Sequence, residues 1–220
     1  MKFKAKFGEI NRVVEHRLAS VLSKTVTELN VEDFEGATII LAGLCEDCER
    51  LERVEMANSI GMIGASAFAY CYYLDTIKLS DKLWSIGDNA FMLCWRLKSI
   101  NFPSSVAKIG AGAFFRCETL KEIVIPNKVA VINEETFAGC CGLKRVVVGE
   151  GVRSIRKNAF GSCNAIQTFG LLPTTPPSLD STALKSATIQ KIIVPQGTLD
   201  AYKSATNWSE YADIMEEATE

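Results

Sequence analysis

The residues of this sequence best suited to chemistry are its eight cysteines, two of which stand close together. Cys45 and Cys48 form a C-x-x-C pair, a spacing that can supply half of a zinc site or a redox-active dithiol. A structural zinc ion needs four ligands, and no second C-x-x-C or pair of histidines completes the set. We therefore expect both cysteines to be buried structural residues that bind no metal, with a metal or redox role as the alternative.

Few other residues in the sequence could build an active site. The one histidine, His16, stands between Glu15 and Arg17, and we expect a solvated helix residue there and not a general base. No serine or cysteine nucleophile has a recognisable base beside it, and no glycine-rich loop follows a strand in the pattern that binds phosphate. The sequence predicts a protein that is not an enzyme and uses no cofactor, although a site assembled from distant loops would leave no such pattern.

The spacing of the cysteines indicates a repeat more clearly than it indicates a reactive site. Six of them recur every 23 residues, and other apolar residues keep the same interval. The columns are Cys48, Cys71, Cys94, Cys117, Cys140 and Cys163; Phe68, Phe91, Phe114, Phe137 and Phe160; Ile40, Ile63, Ile86, Ile109, Ile132 and Ile155; Leu51, Leu74, Leu97, Leu120, Leu143 and Ile166; Val54, Ile77, Ile100, Ile123, Val146 and Phe169; and Ile60, Leu83, Val106, Val129 and Val152. A period of about 20 to 50 residues indicates a stack of similar units, each of which needs a neighbour to bury its apolar face. The sequence therefore predicts a solenoid.

Each unit contains one segment with the two-residue period of a strand. In the unit at 121–126, Ile123 and Ile125 alternate with Glu122 and Val124, so the two pairs should point to opposite faces. Stacked units would place one short strand each, in parallel and about 4.8 Å apart, in a curved sheet. The predicted fold class is an α/β repeat solenoid, in which the cysteines are small, reduced, buried thiols.

Degenerate units are expected at both ends of the stack. Val31 lies 23 residues before Val54, and Ile192 lies 23 residues after Phe169. By the same count, Thr25 and Ser186 take the cysteine position of these end units, where a small polar residue suits a less enclosed site. The prolines within 171–179 predict a loop before the last unit.

Helical caps should close the two ends. Apolar residues at helical spacing predict an N-terminal cap helix within 1–24, for which a membrane surface or a partner helix is the alternative role. The repeat solenoid would occupy 25–195 and a helical C-terminal cap 196–220. Because each unit needs its neighbours, we expect one cooperative domain.

The composition of the chain excludes several classes of protein. The sequence has 220 residues, with 24 basic against 26 acidic side chains and a formal charge of −2, which gives no cationic field for nucleic acid or an anionic membrane. The sequence has no run of about 18 apolar residues, so we expect no membrane insertion, and no signal peptide is recognisable. The expected location is cytoplasmic or virion-associated, or the cell surface if a leader has been removed.

One cassette of the repeat resembles a known family. The pattern Ile-Gly-x-x-Ala-Phe-x-x-Cys-x-x-Leu-x-x-Ile-x-Ile-Pro, present at 109–126, is similar to the BspA-like leucine-rich repeats. The stretches at 175–177, 193–195 and 201–208 are similar to the terminal cassette of that family. The chain departs from ordinary leucine-rich repeats, which carry Asn after the strand where this one has Pro and then Val.

The resemblance implies a leucine-rich-repeat type stack with a non-catalytic recognition function. Members are mostly bacterial surface or adhesion proteins, and short versions occur in phage and prophage genomes. We therefore expect a module of the adhesion or recognition type that binds a protein or glycan ligand. A structural component of a phage virion and an intracellular scaffold are the alternatives.

Two candidate binding surfaces follow from the repeat. The outward strand residues would form a varied stripe on the concave face of the sheet, the face that solenoids use for binding. The stripe comprises Arg53, Glu55, Thr76, Lys78, Ser99, Asn101, Glu122, Val124, Arg145 and Val147. Tyr72 and Trp95 share one repeat position in the turns and should cluster on neighbouring units, with Tyr70, Tyr73 and Phe115 nearby. These aromatic residues would be either extra packing over the edge of the stack or a contact site.

Overall fold

A computed structural model describes residues 26–30, 33 and 36–219 of the chain. Short parallel strands make up most of its regular structure. They are β1 (Glu28–Leu29), β2 (Ile39–Ile40), β3 (Arg53–Glu55), β4 (Met62–Ile63), β5 (Thr76–Lys78), β6 (Ser85–Ile86), β7 (Lys108–Ile109), β8 (Glu122–Val124), β9 (Val131–Ile132), β10 (Arg145–Val148), β11 (Ser154–Ile155), β12 (Ile166–Leu171), β13 (Ser178–Leu179), β14 (Ile189–Val194) and β15 (Met215–Glu217). The fold is a parallel-sheet β solenoid of about eight turns.

Most turns contribute two strands, so the expectation of one strand per unit was wrong. The front strands form the series β1-β3-β5 and β8-β10-β12-β14-β15. The back strands form the series β2-β4-β6-β7 and β9-β11-β13. In the regular turns the paired residues are 23 apart, as for Arg53 with Thr76 and Ile40 with Ile63. The sequence period is therefore one full turn of the solenoid.

The front series is interrupted in the turn that contains Ser99 and Asn101. These two residues lie outside any strand, which corrects their predicted place in the sheet. The turn stays in the stack, because Lys121 donates its backbone N–H to the carbonyl of Lys98 at 3.3 Å. The interruption coincides with Phe102, a half-buried ring that packs edge-on against Phe114 at 5.6 Å between centroids. Aliphatic residues take the corresponding position in the neighbouring turns, Leu79 and Ile125.

The core consists of the predicted columns. Phe68, Phe91, Phe114, Phe137 and Phe160 are fully buried. Successive rings stack nearly parallel, with centroids 5.2 to 5.4 Å apart. The prediction of a buried phenylalanine spine is confirmed. Since each inner ring stacks on its copies above and below, a turn that lost its neighbours would expose this surface to water.

The register shifts at both ends of the stack. Leu29 lies opposite Val54, an interval of 25 residues, whereas the predicted Val31 and Thr25 lie outside the described residues. Near the other end, Ser154 pairs with Ser178, an interval of 24. One added residue moves Ser186 out of the cysteine position, and its left-handed φ of 57° matches the 58° of Ser162. Ala187 follows it, partly buried against the core.

The C-terminal segment contains little helix, and a helical cap is not confirmed. The helix α1 spans Leu199–Ser204 and a 3-10 helix spans Ser209–Ile214, after which β15 continues the front series. Tyr202 and Trp208 are fully buried and donate hydrogen bonds to the carbonyls of Pro173 (2.7 Å) and Pro177 (2.8 Å). These bonds attach the segment to the proline-rich loop before β13. The helix predicted within 1–24, including His16, lies outside the described residues.

The predicted domain boundaries at 24 and 195, and the single cooperative domain, stay predictions. Within residues 26–30, 33 and 36–219, no helix is long and apolar enough to cross a bilayer.

Candidate binding surface

The structure places most of the predicted stripe on the outer side of the front strands. This placement results from the alternation within each strand. The central residue of a three-residue strand, such as Val54 or Ile123, is buried, and its two neighbours face outward. The exposed stripe residues are Arg53, Thr76, Lys78, Ser99, Asn101, Glu122, Val124 and Arg145, while Glu55 and Val147 are half-buried. Ser99 and Asn101 reach the surface from the interrupted turn.

Several charges of the stripe are paired with each other across neighbouring turns. Lys78 Nζ lies 2.7 Å from Glu55 Oε1, and the Arg145 guanidinium contacts the Glu122 carboxylate. The hydrogen bond that Lys78 donates to the Glu55 carboxylate raises the pKa of Lys78. Both pairs are exposed, so each adds little to stability. A ligand on the stripe would have to compete with these pairs for the charged groups.

A second surface, which we call the turn edge, follows the turns that precede the front strands. Tyr70 and Leu93 have left-handed φ of 61°, a conformation that is rare for such residues. Two residues later, Tyr72 and Trp95 donate their backbone N–H groups to the carbonyls of Tyr70 and Leu93, each at 2.9 Å. This local turn repeats at 23-residue intervals and brings Tyr72 and Trp95 into one row.

The two rings pack against each other at the surface. The ring centroids of Tyr72 and Trp95 are 4.4 Å apart with 31° between the planes. Tyr70 meets Tyr72 edge-on at 6.3 Å. Trp95 is 42% exposed, whereas Tyr70 and Tyr72 are half-buried. The predicted cluster therefore forms on neighbouring turns, and its rings lie outside the core.

Carboxylates occur next to this aromatic pair. By the 23-residue register, Glu49 occupies the row position before Tyr72, and Glu118 the position after Trp95; both are exposed. Partial burial raises the pKa of Tyr72, and the nearby charges of Asp47 and Glu49 raise it further. Sequence reasoning overlooked both glutamates, although the register that found Tyr72 and Trp95 also identifies them.

A cleft of about 150 Å³ joins the turn edge to the front of the stack. Arg53 and Thr76 of the stripe line it together with Tyr73, Asp75 and Arg96. The Arg96 guanidinium carbon lies 4.8 Å from the centre of the Tyr73 ring, a cation–π distance. Tyr73 and Arg96 are also 23 residues apart. The two candidate surfaces are therefore continuous in the N-terminal half of the solenoid.

A wider groove of about 400 Å³ lies along the later turns of the same edge. Arg116, Glu118, Cys141 and Lys185 are among its lining residues. Cys141 is exposed and stands outside the cysteine column, where it takes the row position after Glu118.

The C-x-x-C pair lies inside the stack. Cys48 takes the cysteine position and Cys45 the phenylalanine position, and both are almost fully buried. The contact with the Cys48 thiol and burial raise the pKa of Cys45 well above the ordinary value. Thiolate is the reactive and metal-binding form, so this setting disfavours both chemistries. In the described part of the chain, no three His, Cys, Asp or Glu residues are grouped so that they could hold a metal ion.

The column cysteines also make a regular contact that the sequence did not predict. Each of Cys71, Cys94, Cys117, Cys140 and Cys163 donates its thiol to a backbone carbonyl 26 residues earlier, at 3.1 to 3.3 Å. Burial raises the pKa of Cys163 to about 12. The thiols are therefore neutral donors between turns as well as packing groups.

Solved structures with a TM-score above 0.5 to this chain share its architecture. A leucine-rich repeat protein of T. pallidum is 26% identical with a TM-score of 0.57, over 79% of this chain and 74% of that one. A leucine-rich cell surface protein of Faecalibacterium prausnitzii is 19% identical with a TM-score of 0.49, over 94% and 66%. The pneumococcal vaccine antigen PcpA is 13% identical with a TM-score of 0.54, over 90% and 42%. This chain therefore spans less than half of the PcpA structure.

No curated protein sequence matches the chain. The family model for the BspA type leucine rich repeat region matches six copies over residues 38–167 and 132–210. These residues include the columns, the strands from β2 to β14, and the turn edge. The chain belongs to the BspA-type leucine-rich repeat family.

Proposed function

We propose that this protein is a non-catalytic recognition module of the adhesion type, which binds a protein or glycan ligand through the turn edge around Tyr72 and Trp95. The ring pair at the surface carries the proposal, with Trp95 exposed and Tyr72 half-buried. Large aromatic side chains that face solvent together are typical of interfaces, where they provide much of the binding energy.

The core of the same turn is complete without the Trp95 ring. Phe91, Cys94 and Leu97 of that turn are fully buried and continue their columns. A ring that is 42% exposed therefore adds less to folding than a column residue does. The other positions of this row carry Glu49, Glu118 and Cys141, so the stack does not require aromatic residues there. A role in ligand contact accounts for the aromatic pair.

The adjoining stripe would extend the contact surface. Arg53 and Thr76 are exposed and meet the turn edge at the cleft beside Tyr73. The paired charges of Glu122 and Arg145 lie farther along the stack, and we assign them a smaller part in binding. The N-terminal half of the solenoid is thus the proposed ligand-binding half.

Family membership favours a bacterial cell-surface setting for this role. A phage virion component and an intracellular scaffold are the other settings, and genomic neighbours distinguish them. Capsid or tail genes beside the coding sequence would favour the virion, and an upstream leader would favour the surface.

The test uses arrays of host extracellular proteins and glycans probed with the full chain. A ligand captured by the wild-type protein should be lost when Tyr72 and Trp95 are both changed to alanine. The matched control is Trp84→Ala, since Trp84 is 48% exposed beside the back strand β6. If the double variant retains every ligand and only loses stability, the turn edge is a packing feature and the proposal fails.

A further inference from the structure

The chemistry of the turn edge indicates what kind of group it binds. Four consecutive turns place Glu49, Tyr72, Trp95 and Glu118 in one row, so an aromatic pair stands between two exposed carboxylates. The ring centroids of Tyr72 and Trp95 are 4.4 Å apart with a tilt of 31°, and Glu118 holds the next row position beyond Trp95. Glu49 likewise holds the next row position beyond Tyr72.

The backbone holds the Trp95 and Glu118 positions together. Thr119 donates its backbone N–H to the carbonyl of Trp95 at 3.2 Å and its hydroxyl to the same carbonyl at 2.8 Å. The hydroxyl also reaches the carbonyl of Leu97 at 3.2 Å. These bonds hold the backbone of Glu118, the residue before Thr119, one turn away from Trp95.

An aromatic face beside a carboxylate favours a cation. The ring quadrupole attracts ammonium and guanidinium groups, and Trp is the best of the aromatic residues for this contact. A carboxylate within a few ångströms adds a charge attraction that a neutral ligand does not gain. Asp47 and Glu49 also raise the pKa of Tyr72, which is the effect of a negative local potential.

The basic side chains near the row do not cancel this pattern. Arg96 lies over the Tyr73 ring in the adjacent row. Arg116 lines the same groove as Glu118 and takes the Tyr70 position two turns later, and Arg50 takes the Tyr73 position one turn earlier. Each of the three stands in a row other than that of the aromatic pair.

We propose that the turn edge binds a lysine or arginine side chain of a protein ligand, seated on the outer face of Trp95 against the Glu118 carboxylate. This inference rests on the proposed recognition function and narrows it to a basic protein segment. Glu49 and Tyr72 provide the corresponding pair at the other end of the row, so two basic residues of one segment can bind together.

The experiment titrates the full chain with the peptide acetyl-Ser-Lys-Leu-Lys-Ser-amide and follows the Trp95 indole N–H by NMR. The matched probe replaces both lysines with norleucine, which keeps the aliphatic stem and removes the charge. We expect the lysine peptide to shift the indole resonance and the norleucine peptide to bind at least about fivefold more weakly. Raising the salt concentration should weaken the lysine peptide alone.

Variants connect the binding to the named residues. Glu118→Gln should weaken the lysine peptide about 2- to 5-fold. For Trp95→Ala the titration is followed on backbone amides of the turn edge, and binding should fall below detection. Glu150→Gln, an exposed glutamate in a later turn, should have no effect. Thermal melts of the variants check that the fold is kept.

Equal binding of the two peptides, or a lysine peptide indifferent to both Glu118→Gln and Trp95→Ala, would overturn the inference. The array experiment separates this outcome from failure of the proposed function. A neutral glycan that needs Trp95 but not Glu118 would leave recognition at the turn edge in place and reject the basic protein segment.

Discussion

The thiol of Cys117 donates a hydrogen bond to the backbone carbonyl of Phe91 at 3.3 Å, across the boundary between two turns of the solenoid. The same carbonyl also accepts the backbone N–H of Cys94 at 3.2 Å. A residue from the cysteine column thus connects to a residue from the phenylalanine column of the preceding turn. This hydrogen bond explains why cysteine, a small residue with a weak donor, recurs at this position. Packing alone would explain only the small size.

Burial of the column predicts a sharp difference among the eight thiols. Native protein treated with iodoacetamide should gain one adduct, on the exposed Cys141, because the other seven cysteines are buried. Denatured protein should gain eight. Intact-mass spectrometry measures both numbers, and stoichiometric zinc or a mass deficit from disulfides would contradict the prediction of free, metal-free thiols.

The raised pKa of the column thiols predicts a loss of stability in alkali. Below pH 9 the Cys163 thiol is protonated in both the folded and the unfolded chain. Between its ordinary pKa of 9.0 and its folded pKa of about 12, the unfolded chain ionises first, so the free energy of unfolding falls by at most about 1.4 kcal/mol per pH unit for each such thiol. Urea titrations at pH 8.5 and pH 10 measure the slope. It should be shallower in Cys163→Ala, and an equal slope would argue against the thiol.

Truncation of the phenylalanine spine should be costly. Phe114→Ala removes a fully buried ring that stacks on both neighbours, and we expect a loss of about 3 to 5 kcal/mol in the free energy of unfolding. Phe115→Ala is the control, since the adjacent ring is only half-buried, and it should cost about 1 kcal/mol. Denaturant titration compares the two. A loss below about 1 kcal/mol for Phe114→Ala would remove the spine as a source of stability.

One glycine column marks where neighbouring turns approach most closely. A Cβ atom on Gly110 would lie 2.4 Å from the backbone nitrogen of Asp88, so Gly110→Ala should force the turns apart and cost about 1 to 3 kcal/mol. Gly170→Ala is the matched control, because its nearest neighbour is the Val146 carbonyl oxygen at 3.6 Å. We expect the control to change stability by less than about 0.5 kcal/mol. Equal effects in a denaturant titration would disprove the close approach.

The predicted single domain has its own test. Trp208 reports on the C-terminal segment and Trp95 on an early turn, so single-tryptophan variants can follow the two regions separately. If the solenoid is one cooperative unit, their fluorescence transitions in urea coincide with that of the far-ultraviolet circular dichroism. Transitions that separate would instead place a boundary between residues 95 and 208.

The core could be predicted from the sequence because its determinant is periodic. A residue that recurs every 23 positions meets its own copies, so Phe91, Cys94 and Leu97 could be assigned to the interior without knowledge of the path of the chain. The back strands could not be found in the same way. A strand of two residues, such as Met62–Ile63, is too short to show an alternation, and its partner lies a full turn away.

The surface was predicted less completely than the core. The stripe was derived from alternation, but the ion pair of Glu55 with Lys78 requires the lateral register as well as the facing direction. The end turns differ for another reason. Insertions of two residues before Val54 and one before Ser178 leave no periodic signal, so counting in steps of 23 missed Leu29 as the partner of Val54 and placed Ser186 in the cysteine position wrongly.

The interruption of the front series has a mechanical meaning. In a solenoid, the hydrogen bonds between turns run along the long axis, so a pull between the two ends loads them in tension, one boundary at a time. The boundaries on either side of Ser99 lack the strand pairing found between β3 and β5 or β8 and β10, and they should yield first. Each turn released would lengthen the chain by about 80 Å. The interrupted turn is therefore where the solenoid should begin to extend when its two ends are pulled apart.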